Sequence, residues 1–299
     1  MLLTAMRFSG TYTALITPFC NGGLDVPAFQ SLIERQIAGG VDGIVPCGTT
    51  GESPTLDTEE HLEIIRLAVE FAAGRCEVVA GTGSNATAEA VDLTAAAEQL
   101  GATGSLQVCP YYNKPSQQGL YLHFKAIAKS TGLPIMLYSV PGRSVIDIAP
   151  ATVARLAAEC PHIVAIKEAG GSVERVNQLI QALPDDFAVL CGDDPLTLPF
   201  IACGATGLVS VASNLIPDVM ARLVRACLNG SFDEALILQK QYYPLMHGLM
   251  SLDVNPVPIK TAVALQGHCT ADLRLPLAPL SPEQISQLKS LLESYNLLL

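Results

Sequence analysis

The sequence predicts an α/β fold, a closed (β/α)8 TIM barrel followed by a helical C-terminal extension, and three observations carry that expectation. Eight short apolar runs alternate with segments of helical spacing, the runs are apolar at nearly every residue, and the links between them are short. Near-continuous apolar runs fit strands covered on both faces, and regular alternation of strand and helix predicts parallel strands. The strand candidates are residues 12–19, 43–47, 77–81, 105–112, 134–140, 163–168, 188–192 and 207–212. Between them, residues 58–73, 86–100, 117–130, 150–159 and 173–182 carry apolar side chains at three- and four-residue intervals. Asp57 or Thr58, Ser116 and Ser172 stand where helix caps are expected. A doubly wound open sheet is the competing fold, but no G-x-G-x-x-G follows the first strand. After the eighth strand the chain reads as helical from 217 to 299, with breaks near 253–258 and 276–282. Residues 1–230 are therefore assigned to the barrel and 231–299 to the extension.

Composition narrows the function. The 299 residues are 49% hydrophobic and 15% charged, which suits one large barrel core and broad contact surfaces. No apolar run reaches the length of a membrane span, and the first ten residues do not read as a secretion leader, so a cytoplasmic protein is expected. Nine cysteines occur singly with no C-x-x-C pair, which predicts free thiols in a reducing compartment. The five histidines, His61, His123, His162, His247 and His268, lack metal-ligand spacing, and no P-loop or serine nucleophile elbow is present. A net charge of −11 disfavours nucleic acid and anionic membranes. An anionic substrate must therefore meet local cations or backbone amides.

In such barrels the chemistry sits at the carboxyl ends of the strands. Polar residues there are Gly48-Thr49-Thr50-Gly51-Glu52-Ser53, Tyr111-Tyr112-Asn113, Tyr138 to Arg143, Lys167-Glu168, Gly192-Asp193-Asp194 and Ser210. Lys167 ends an apolar strand. It is either a lysine extending from the rim or a desolvated amine poised for carbonyl attack. Strand alternation turns Glu168 to the opposite face, away from Lys167. Tyr138 shares the face of Met136 and is either a rim tyrosine or a proton relay. Thr49 and Thr50 offer hydroxyls in a Gly-rich loop, which is a turn or a carboxylate cradle. Arg143 is a surface charge or a bidentate carboxylate grip. Asp193-Asp194 is read as capping the helix after Pro195.

These segments, together with Ala80-Gly81-Thr82-Gly83, Pro110-Tyr111-Tyr112-Asn113-Lys114-Pro115 and Ile166-Lys167-Glu168, resemble the dihydrodipicolinate synthase branch of the pyruvate-dependent class I aldolases. The likeness runs from about Gly10 to the C-terminal helices. It implies that Lys167 forms a Schiff base with pyruvate, and that Tyr138, Thr49 and Tyr112 relay protons, Tyr112 reaching in from a neighbouring subunit. Thr50 would bind the pyruvate carboxylate, the backbone near Gly192 and Val209 would line that site, and Arg143 would bind the carboxylate of L-aspartate 4-semialdehyde. The implied product, 4-hydroxy-tetrahydrodipicolinate, lies early in the diaminopimelate route to lysine. The resemblance also implies a homotetramer built as a dimer of dimers, and no metal or organic cofactor. A lysine-feedback pocket would map to Ser53, Pro54, Thr58, His61, Asn85, Glu89 and Tyr111, although a histidine frequent in the family is replaced by Thr58. Ser139 and Cys109 stand where Asn and Thr are usual. Other lyases on this scaffold, for sialic acid or 2-keto-3-deoxy sugar acids, would keep Lys167 and Tyr138, and a silent keto-acid-binding barrel is the remaining alternative.

Overall fold

The computed structural model describes residues 8–298. Residues 1–7 and 299 lie outside the described residues, and with them most of the segment read as carrying no leader. Eight strands close into a barrel in which every neighbouring pair is parallel: β1 (Gly10–Ala14), β2 (Gly43–Val45), β3 (Glu77–Gly81), β4 (Gly104–Val108), β5 (Ile135–Ser139), β6 (Ile163–Glu168), β7 (Ala188–Cys191) and β8 (Gly207–Ser210). The ring shuts where β1 pairs with both β8 and β2. Helices α1 (Val26–Ala38), α2 (Thr58–Ala72), α3 (Thr87–Gln99), α4 (Gln117–Ala128), α5 (Pro150–Glu159), α6 (Val173–Ala182), α7 (Thr197–Ala202) and α8 (Pro217–Leu228) follow the strands in turn. The expected caps form: Asp57 and Glu60 build a capping box on α2, Ser116 accepts from Gly119 N on α4, and Ser172 accepts from Arg175 N on α6.

Alternation along the strands sorts two apolar layers. Tyr12, Val45, Val79, Leu106, Met136, Ala165, Ala188, Leu190 and Val209 fill the barrel interior above a plug made by Phe8. Their neighbours in sequence, Ile44, Val78, Leu137, Ile166, Val189 and Leu208, face outward into the layer beneath the helices. A period of two in a closed parallel barrel forces this division.

Most bounds shift by one or two residues from the sequence expectation, and three regions depart further. The first strand was expected over 12–19, yet the ladder stops at Ala14. Leu15 still bonds Val45, but the Ile16 N–H turns to Asn214 Oδ1 at 3.1 Å and Pro18 has no N–H to offer. Phe19–Cys20 instead pairs with Gly23–Leu24 in a small hairpin. The fourth strand was expected to reach 112 and ends at Val108, because Pro110 lacks a donor and Tyr112 adopts a left-handed φ of 72°. In the C-terminal region, α9 (Phe232–Ser251), α10 (Val257–Leu265) and α11 (Pro282–Glu293) form, but residues 266–281 are not helical. Gly267 (φ 77°) ends α10 with its N–H on Ala264 O, while the N–H of His268 bonds Val263 O, and Pro276 and Pro279 prevent an early restart. Side chains of α9, α10 and α11 enter the same outer apolar layer as the barrel helices. No helix among the described residues is long and apolar enough to cross a membrane.

His123 on α4 is buried, with Nδ1 2.9 Å from Thr87 Oγ1 and no partner at Nε2. Burial lowers its pKa to about 4. A folded-state value below the unfolded value of about 6.5 means that the unfolded chain binds the proton first as pH falls. Stability is therefore lost between about pH 6.5 and pH 4, by up to about 3 kcal/mol from this group. Urea unfolding of the parent and His123→Gln across this range should show a steeper pH dependence in the parent. Parallel curves would remove His123 as the cause.

Candidate active site

Strand register sets the centre of the site. Tyr138 on β5 pairs with Lys167 on β6, which pairs with Leu190 on β7, so all three point inward at the carboxyl end of the barrel. Lys167 is 5% exposed, and its Nζ lies 4.2 Å from the centroid of the Tyr138 ring. It makes no ion pair with any described residue. The adjacent Glu168 points the other way, as alternation requires, and its carboxylate takes Arg175 Nε at 2.7 Å and Gly170 N at 2.7 Å. Arg175 also bonds Asp147 and the carbonyl of Ile148, so it ties the end of β6 to the loop after β5. Ser139 lies at the edge of this cluster, 3.5 Å from Arg175. Gly192 leaves room for the amine: a Cβ there would stand 3.0 Å from Lys167 Cε and 2.7 Å from Ala169 Cβ.

A cavity of about 210 Å³ opens at this end of the barrel. Thr49, Tyr138 and Arg143 line it, with Leu106, Val108 and Val140 as its apolar wall. Thr50 lies just behind, buried, with its hydroxyl accepting from Asn255 Nδ2 at 3.0 Å. Arg143, in the short helix Pro141–Ser144, donates to the Asn255 carbonyl at 3.0 Å. Val209 is buried on the interior face of β8. Tyr112 is the candidate that its own chain does not bring in: it is 89% exposed and its neighbour Tyr111 lines the cavity instead.

A smaller cavity of about 90 Å³ adjoins the first. Ser53, Pro54, Thr58, His61, Glu89 and Tyr111 line it, and Asn85 holds the Tyr111 carbonyl at 3.2 Å. His61 donates Nε2–H to Gly81 O at 2.7 Å, and burial lowers its pKa. Ser53, Pro54, Gly83 and Tyr111 border both cavities.

Two features differ from, or lie beyond, the sequence reading. Asp194 was read as a helix cap and is not one. Its buried carboxylate accepts from Ser210 Oγ at 2.5 Å and from Val211 N and Ala212 N at 3.0 Å, because the β7 and β8 loops converge there. Sequence reasoning also missed Asn255 and Lys260. Lys260 is fully buried in α10 with its ammonium 2.5 Å from Glu52. A lysine inside the apolar run Val257–Leu265 was the available signal.

A parallel barrel with a buried, unpaired amine beside a phenol at its carboxyl end defines a class of enzyme-like sites built for carbonyl substrates. Comparison narrows the class. The model of the Dihydrodipicolinate synthetase family matches residues 7–295. A 4-hydroxy-tetrahydrodipicolinate synthase of Persephonella marina is 48% identical over 292 residues, covering 97% of this chain and 99% of that protein. The crystal structure of dihydrodipicolinate synthase from Aquifex aeolicus superposes with a TM-score of 0.96 at 47% identity, covering 98% and 99% of the two chains. The 4-hydroxy-tetrahydrodipicolinate synthase structure from Methylacidiphilum fumariolicum SolV gives 0.94 at 53% identity, covering 98% and 100%. The chain belongs to the dihydrodipicolinate synthetase family.

The close approach at Gly192 is testable without substrate. Gly192→Ala forces a methyl against Ala169 and the Lys167 stem. Overpacking of this kind costs about 1–3 kcal/mol. Thermal unfolding should register a lower melting temperature, and an unchanged one would mean that the contact relaxes freely.

Proposed function

We propose that the chain catalyses the condensation of pyruvate with L-aspartate 4-semialdehyde to 4-hydroxy-tetrahydrodipicolinate. The observation that carries this reading is Lys167, buried with its amine over the ring of Tyr138 and free of any ion pair among the described residues, where Tyr138 in turn lines a cavity together with Thr49 and Arg143. Lys167 Nζ attacks the keto carbon of pyruvate and water leaves, giving an imine. Loss of a methyl proton gives the enamine, whose carbon attacks the aldehyde of the second substrate. The amino group of that substrate then closes the ring on the imine carbon and frees Lys167. Tyr138 and Thr49 pass the protons, with Tyr112 of a neighbouring subunit completing the relay. Thr50 binds the pyruvate carboxylate, with the Gly192 and Val209 backbone alongside. Arg143 binds the carboxylate of the semialdehyde, where it supplies the local cation that a chain of net charge −11 needs.

The chain acts as a homotetramer of paired dimers in the cytoplasm, and the 89% exposure of Tyr112 supports a subunit contact at that side chain. The smaller cavity supports feedback by lysine: Glu89 offers a carboxylate to an ammonium, His61 and Tyr111 line the same space, and Asn85 holds the Tyr111 carbonyl. Light scattering at micromolar concentration should return the mass of a tetramer, and a monomer would refute the assembly.

Borohydride reduction in the presence of pyruvate should leave a mass adduct on the peptide containing Lys167 and none in Lys167→Ala. An adduct of equal yield in both would end the imine proposal. Arg143→Ala should form the same adduct while losing about 100-fold or more in condensation, as misplaced substrates do. Equal loss of both would make Arg143 structural. Cleavage of sialic acid, without turnover of the semialdehyde, would move the chain to another branch of the scaffold.

A further inference from the structure

The loop that carries Thr49 and Thr50 is held from a distance. Its backbone folds on itself, with Gly51 N on Gly48 O, Glu52 N on Thr49 O at 3.1 Å and Ser53 N on Gly48 O. The turn leaves Glu52 in the left-handed region at φ 58°. A non-glycine residue stays there only when its surroundings over-determine it. Those surroundings come from the C-terminal extension. The Glu52 carboxylate is buried, with Oε1 2.5 Å from Lys260 Nζ and Oε2 accepting from Arg274 N at 3.0 Å. Lys260 is 0% exposed, and its ammonium also sits 4.2 Å from the centroid of the Phe19 ring.

A buried ion pair of this kind is a poor source of stability, because desolvation offsets most of the attraction and an apolar pair of similar volume does as well. What it does supply is direction. Lys260 fixes Glu52, and the Glu52 N–H fixes the carbonyl of Thr49. We infer that Lys260 is a positioning residue for the reaction proposed above: through its buried contact with Glu52 it sets the backbone that presents Thr49 and Thr50 to the substrate. The inference rests on that proposed reaction. Lys260 touches no reacting atom, and it acts from α10, 208 residues along the chain from Glu52.

The test compares the parent, Lys260→Met and the double variant Glu52→Gln/Lys260→Met in thermal unfolding, steady-state condensation of pyruvate with aspartate semialdehyde, and borohydride trapping at saturating pyruvate. Lys260→Met strands a buried carboxylate and should melt well below the parent. The double variant removes both charges and should melt within a few degrees of it. Its kcat/KM should nevertheless fall about 10- to 100-fold, the scale of a displaced catalytic group. The Lys167 adduct should still form, since the amine is untouched. A folded double variant with kcat and pyruvate KM both within twofold of the parent overturns the inference. A double variant that does not fold overturns it too, because the pair would then serve the fold and not the loop. An inactive parent counts against the proposed reaction, whereas an active parent with an unaffected double variant counts against Lys260 alone.

Discussion

A strand that is closed into a ring with its neighbours has an inside and an outside, and consecutive residues must take opposite ones. The site depends on this constraint. Lys167 and Glu168 are covalent neighbours, yet the pleat of β6 sends the amine into the barrel and the carboxylate out to Arg175. In an irregular loop the two side chains could fold back on each other, and the attraction between them would hold the amine as an ion pair. Here the backbone ladder forbids that contact, so the amine stays clear of the carboxylate that follows it in sequence. The small residues Ala165 and Ala188 on the interior face, and the bare Gly192 against the Lys167 Cε, leave room for the stem, and the head lies over the Tyr138 ring.

The parts of this arrangement written in short-range pattern were legible in the sequence. The helices over 150–159 and 173–182 form with the bounds their spacing gave, the capping serines act as caps, and the inward face of Lys167 follows from a period of two. The first and fourth strands ran short for a different reason. Apolar character continues through Leu15, Ile16 and Cys109, but a ladder needs donors, and Pro18 and Pro110 provide none. Burial was readable there and hydrogen bonding was not.

What stayed hidden lies far apart along the chain. Asn255 bonds Thr50 across 205 residues and Lys260 bonds Glu52 across 208. Nothing in a local window marks one as the partner of the other. Asp194 was misread for a related reason. An aspartate before Pro195 fits a cap equally well by pattern, and only the convergence of the β7 and β8 loops gives it three better donors. The barrel alone therefore does not finish the site, since the extension supplies the contacts that hold Thr50, Glu52 and Arg143.

The two cavities at the mouth share a wall. Ser53, Pro54, Gly83 and Tyr111 border both spaces. Two ligands on either side of so thin a partition need no relay through the molecule to sense each other, because whatever shifts the partition changes the volume available to both. Such linkage is reciprocal by thermodynamic necessity. If a guest in the small chamber tightens or loosens the grip of the large one, the occupant of the large chamber alters the hold on that guest by the same factor. The pair of chambers then behaves as one balance with a single beam, and that beam is the border made by Ser53, Pro54, Gly83 and Tyr111.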